Sequence, residues 1–136
     1  MGSKGSILVY NRPFENTILT QVKDDFPGLK NQVEVIQSRM IDLMTPFRKN
    51  YRLPEMNRSY SIKYVLPALV PEMRYDELTI ANGSDASTAF YNLQFEHEEG
   101  KRNETRNALL EYCELDTLAM VQILEKTKAC GTMIGT

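Results

Sequence analysis

An uninterrupted run of strand-forming apolar residues, Ile7, Leu8, Val9 and Tyr10, leads into a proline three positions later and then into apolar residues at four-residue spacing. A run without polar alternation is the pattern of a strand covered on both faces, which implies a parallel sheet layered with helices. Asn11 offers an N-cap and Pro13 fits a first helical turn. Phe14, Ile18, Val22 and Phe26 then recur until Pro27-Gly28 stops them. Strand, tight turn and amphipathic helix in this order restrict the chain to the α/β class.

Further along, Leu29, Val33 and Ile36 predict a second helix ending near Arg39, and Met40 to Met44 a second short strand, so the opening unit reads βαβ. Residues 46–60, with Pro46, Pro54 and many polar side chains, read as a connecting loop holding one short helical turn. Ser59 or Ser61 is placed to cap a helix through Ile62, Val65 and Leu66 that ends near Pro67 or Pro71, before Leu78 to Ile80. Ser84 or Asp85 is placed to cap another helix carrying Ala86, Ala89, Phe90 and Leu93. Glu96 to Gly100 reads as a solvated acidic loop. The last helix runs from about Asn103 to Lys128 with a stripe of Leu109, Tyr112, Cys113, Met120, Ile123 and Leu124, and Gly131 as its stop. The domain is expected over residues 6–128, with 1–5 and 129–136 as flexible termini.

At 136 residues, 42% hydrophobic and 25% charged, the chain has the make-up of one ordinary globular domain. A net charge of -2 argues against a protein held on nucleic acid by phosphate neutralisation alone. It leaves open a nuclease whose carboxylates hold cations. Cys113 and Cys130 stand at neither metal-binding nor redox spacing. The start lacks a signal-peptide pattern, and no apolar run approaches the roughly 20 residues that span a bilayer. The expectation is a cytoplasmic protein with no membrane segment.

Two acidic residues stand out by position. Asp116 falls seven residues after Leu109 and four before Met120, on the stripe that should face the core. A carboxylate there needs a partner: a cation, a metal, or a hydrogen bond from a neighbouring element. Tyr112, one turn earlier, shares its face. Glu15 lies in the first turn of the helix after the Ile7 to Tyr10 strand, at the carboxyl edge where open α/β sheets collect ligands. A first-turn glutamate is also favoured by the helix dipole whatever the function.

Taken together, these residues resemble a known family. Tyr10-Asn11-Arg12-Pro13-Phe14-Glu15 is similar to the second motif of the DnaQ-like, ribonuclease H-like 3′-to-5′ exonucleases, in which an Asn precedes a Phe and an acid. Tyr112-Cys113-Glu114-Leu115-Asp116 resembles their third motif in its tyrosine variant. Ser61-Ile62-Lys63-Tyr64-Val65-Leu66-Pro67 and Asp116-Thr117-Leu118-Ala119-Met120 resemble segments of a bacterial domain family of unassigned function placed in the same superfamily. The likeness covers roughly residues 6–128.

It implies a partial ribonuclease H-like fold, a small mostly parallel sheet packed by several α-helices. Its chemistry is metal-dependent cleavage at the 3′ end of single-stranded DNA or RNA, with two Mg²⁺ or Mn²⁺ ions held by four carboxylates. By carry-over, Glu15 and Asp116 are metal ligands, Tyr112 orients the attacking water, and Asn11, Phe14 and Lys63 meet the substrate. Glu15 departs from the commoner aspartate. The first motif, an Asp-x-Glu, has no counterpart in Met1 to Val9. The expectation is therefore the downstream part of a longer protein, with the two-metal site formed only if upstream carboxylates are present. This piece is expected to be inactive alone, or paired into a homodimer through an exposed sheet edge.

Asp42 occupies a strand end where the family often has an acid, and a bond to neighbouring backbone explains it equally. Lys63 reads either as a phosphate contact or as a solvated lysine. His97, among acidic neighbours, matches no metal-ligand spacing. Arg48, Lys49, Arg52 and Arg58, interleaved with Phe47, Tyr51 and Tyr60, have the make-up of a strand-binding patch or of a polar loop. The competing function is a non-catalytic nucleic-acid- or protein-binding module on the same fold.

Overall fold

The structure, a computed structural model, describes residues 4–49 and 52–129. It is a mixed α/β arrangement of two short strands, six α-helices and two 3-10 turns. Strand β1 (Ile7–Val9) leads through helix α1 (Arg12–Asp25), a 3-10 turn (Pro27–Leu29) and helix α2 (Lys30–Ser38) to strand β2 (Met40–Asp42). The strands pair in parallel, Ile7 opposite Met40 and Val9 opposite Asp42. The expected βαβ unit is present, and its sheet has two strands among the described residues.

Several details differ from the sequence reading. All three residues of β1 are half-buried instead of covered on both faces, because only β2 lies beside it. The strand ends at Val9 because Asn11 turns the chain with a left-handed backbone, φ 66° and ψ 63°. Asn11 occupies the N-cap position of α1, yet its side chain caps nothing. The carboxylate of Asp42 takes over, with Oδ1 accepting from the Asn11 amide at 3.0 Å and Oδ2 from the Arg12 amide at 3.0 Å. This clamp joins the end of β2 to the start of α1, and it sets the rotation of the helix. Phe14, Ile18 and Phe26 therefore face outward while Glu15, Asn16 and Leu19 are half-buried. Lys23 on α1 pairs with Glu34 on α2 at 3.7 Å.

Leu43 and Met44, expected as the end of β2, form a buried turn beyond it. Residues 46–60 are more than a loop. Helix α3 (Thr45–Lys49) buries Phe47, and a 3-10 turn (Pro54–Met56) buries Met56. Both join Val65, Leu66, Val70, Tyr75, Ala119 and Ile123 in the main core. Helix α4 (Ile62–Leu69) runs past Pro67 and stops at Val70. Helix α5 (Gly83–Leu93) is capped by Asn82, not by Ser84 or Asp85; the Asn82 side chain accepts from the Asp85 amide at 2.9 Å. Helix α6 (Glu99–Ala129) begins four residues before Asn103 and takes Glu99 and Gly100 from the expected acidic loop.

The buried stripe of α6 is Ala119, Ile123 and Thr127, with Tyr112 and Leu115 packed against the core. Cys113, expected on that stripe, is exposed, because the stripe is rotated by one position. Thr127 offsets its buried hydroxyl by donating to the Ile123 carbonyl at 2.8 Å. Helix α6 packs against α4 and α5, and α1 against α2. No helix among the described residues is long and apolar enough to cross a membrane. The expectations for Tyr51, Cys130, Gly131 and the segments 1–3 and 132–136 lie outside the described residues.

Candidate functional site

The chain leaves β1 and β2 at the same edge of the sheet, so Tyr10 and Asn11 emerge beside Asp42, Leu43 and Met44. Helix α6 closes the opposite side. Between them lies a cleft of about 420 Å³, lined by Tyr10, Asn11, Phe14, Glu15, Arg48 and Asp116, with Tyr60, Ser61 and Ile62 at its far wall. Four of the residues singled out in the sequence, Asn11, Phe14, Glu15 and Asp116, thus meet in one place although they come from opposite ends of the chain. A cleft at the carboxyl edge of a parallel sheet is where α/β folds place their ligands.

The electrostatics centre on Asp116. Tyr75, 5% exposed, donates its hydroxyl to Asp116 Oδ1 at 2.7 Å. Burial raises the Glu15 pKa, and the negative charge of Asp116 raises it further. Tyr112 is raised by burial and then by Asp116. Its ring lies 6.1 Å from that of Tyr75, and its hydroxyl faces Gly83, where an added Cβ would stand 3.5 Å away. Tyr10 forms the floor; its hydroxyl donates to the Tyr60 carbonyl at 2.6 Å, and burial followed by the Asp42 charge raises its pKa. Arg48 is exposed at the rim and forms no ion pair among the described residues.

Asp42 is committed to backbone. Besides the clamp on α1, its Oδ1 accepts from the Met44 amide at 2.9 Å. Lys63 lies elsewhere, in a second cleft of about 570 Å³ shared with Tyr64, Arg74, Tyr75 and Asn82, its ammonium 5.5 Å from the centre of the Tyr64 ring. The basic and aromatic residues of 47–60 do not form one patch. Phe47 is 1% exposed and unavailable for stacking, Arg52 stands 6.0 Å from the centre of the Tyr60 ring, and Arg58 lines a separate pocket with Arg52, Leu53 and Pro54.

No group of three or more His, Cys, Asp and Glu side chains among the described residues could hold a metal ion. Glu15 and Asp116 are two carboxylates at one cleft, which by themselves fall short of the four that a two-cation centre uses. Tyr75 is the residue the sequence reading missed. Its only signal was indirect, the need of a half-buried Asp116 for a donor.

Residues 1–61, just under half of the chain, match the model of a family described as a domain of unknown function (DUF2779). The matched stretch includes Asn11, Phe14, Glu15, Asp42 and Arg48 and stops short of Lys63, Tyr112 and Asp116. No curated protein and no solved structure matches the chain.

Proposed function

We propose that this chain is a ribonuclease H-like module of the 3′-to-5′ exonuclease kind, acting on the end of a single-stranded DNA or RNA. The observation that carries this reading is the convergence of Glu15 and Asp116 with Asn11, Phe14 and Arg48 in one cleft at the carboxyl edge of the sheet. In this reading Glu15 and Asp116 hold part of a Mg²⁺ or Mn²⁺ site, and bound cations supply charge neutralisation at the phosphate. The remaining ligands are not among the described residues, so no reaction step is assigned to the cation. The Arg48 guanidinium, free of an ion pair, meets a backbone phosphate by paired hydrogen bonds. The exposed ring of Phe14 offers a stacking surface to a base. Tyr112 keeps its hydroxyl for a water beside Asp116.

The test is Mn²⁺-dependent cleavage of a 3′-labelled single strand by the complete protein, with Asp116→Ala alongside. Cleavage lost in the variant is the expected result; equal cleavage in both overturns it. A second reading, a non-catalytic binding module, is favoured by the lack of a three-ligand group among the described residues. Strand binding that ignores Mn²⁺ and shows no turnover would decide for it.

A further inference from the structure

We propose that Tyr75 is a positioning residue for Asp116, holding its carboxylate in the one orientation in which a cation or strand end in the cleft can use it. This role rests on the reading of the cleft given above. Tyr75 comes from the irregular segment between α4 and α5, far from either motif in sequence, and no part of the family resemblance touches it. Its ring is fixed in the same buried cluster as Ala119 and Ile123, which flank Asp116 on the inner side of α6. A hydroxyl on a fixed ring is a rigid donor. At 2.7 Å it occupies Asp116 Oδ1 and leaves Oδ2 without a hydrogen-bond partner among the described residues.

Without that bond, an aspartate on a helix face samples several side-chain rotamers. With it, one oxygen is tied to the core and the other is presented to the cleft that Asp116 lines beside Glu15. Tyr112 has a different relation to the same carboxylate, through charge and ring contact without a hydrogen bond. The two tyrosines therefore divide the work: Tyr75 spends its hydroxyl on the carboxylate, and Tyr112 retains its own.

Outer partners of this kind typically change cation affinity by about 10–100-fold when removed. The experiment follows Mn²⁺-induced broadening of backbone amide signals around Glu15 and Asp116 in the wild-type chain, in Tyr75→Phe and in Asp116→Asn, with thermal unfolding of each. Phe keeps the buried ring and deletes only the donor. Asn keeps an acceptor for Tyr75 and deletes the charge. Broadening centred on the cleft in the wild type, lost in Asp116→Asn and requiring about 10–100-fold more Mn²⁺ in a folded Tyr75→Phe, is the expected result.

Equal affinity in Tyr75→Phe and wild type overturns the positioning role and leaves the cleft reading standing. No cleft-centred broadening in the wild type overturns the cation reading itself, and this inference with it. A second measurement needs no substitution: the hydrogen-bonded hydroxyl proton of Tyr75 should shift when Mg²⁺ is added to the wild type. An unmoved resonance under conditions where Mn²⁺ broadens the cleft overturns the role as well.

Discussion

Asp42 carries more structural weight than any other single charged residue described. Its two oxygens accept from the amides of Asn11, Arg12 and Met44, which ties the end of β2 to the start of α1 and to the buried turn beyond the strand. Hydrogen bonds to a charged acceptor contribute about 1.5–3 kcal/mol each when buried and less at a half-exposed site. Asp42→Ala is therefore expected to cost roughly 2–4 kcal/mol in urea unfolding. Asp42→Asn, which keeps one acceptor, is expected to cost less. The tyrosines give a pH prediction. Tyr10 and Tyr75 are raised well above the ordinary value of 10.0, mainly by burial, and Tyr112 is raised in the same direction. Above that value the unfolded chain releases these protons while the folded chain keeps them, so the unfolded state binds fewer protons and stability falls as pH rises. Tyrosinate absorbance of these residues should appear together with loss of helical signal, and Tyr75→Phe should lessen the alkaline slope. At this scale the sequence was legible where a residue broke its pattern. Asp116 stood out on an apolar stripe, whereas nothing near Tyr75 announced that its hydroxyl would answer it.

Elements were legible where periodicity and stop signals agreed, as for α1, α2 and most of α6. They were misread where one residue type has two uses. Ser84 and Asp85 look like caps because both can accept an amide hydrogen bond, but Asn82 takes the position and uses both ends of its side chain, accepting from the Asp85 amide and donating to Asp85 Oδ2 at 2.7 Å. Asn82→Ala is expected to lower stability by about 1 kcal/mol in thermal or urea unfolding, and Ser84→Ala to change little. The segment 46–60 misleads for another reason. Its prolines and charges mark a loop, yet single apolar residues, Phe47 and Met56, anchor it in the core through turns too short to show a period. Truncating either, as in Phe47→Ala, is expected to cost about 3–5 kcal/mol, a core effect from what composition reads as a connector.

Over the whole molecule the support is unequal. The core gathers α3, α4, α6 and the Tyr75 segment, whereas α1 contributes no buried residue and turns Phe14 and Phe26, each 60% exposed, away from it. A helix with few buried apolar contacts opens locally at lower free energy than the elements that carry the core. Amide hydrogen exchange should therefore find lower protection along Arg12–Asp25 than around Ala119 and Ile123 on α6. The cleft is built across this boundary, with Glu15 on the weakly held side and Asp116 on the strongly held side. A ligand that contacts both residues binds only the closed form, so it must add its binding free energy to the local stability of α1. Adding Mn²⁺ and a short single strand together should raise protection in α1 selectively and leave the α6 core amides unchanged. Asp116→Asn should abolish that rise without altering protection in the free protein, because Asn still accepts from Tyr75. Uniform protection across α1 and α6 in the free chain would show instead that α1 is held by the global fold, and that the cleft is rigid before any ligand arrives.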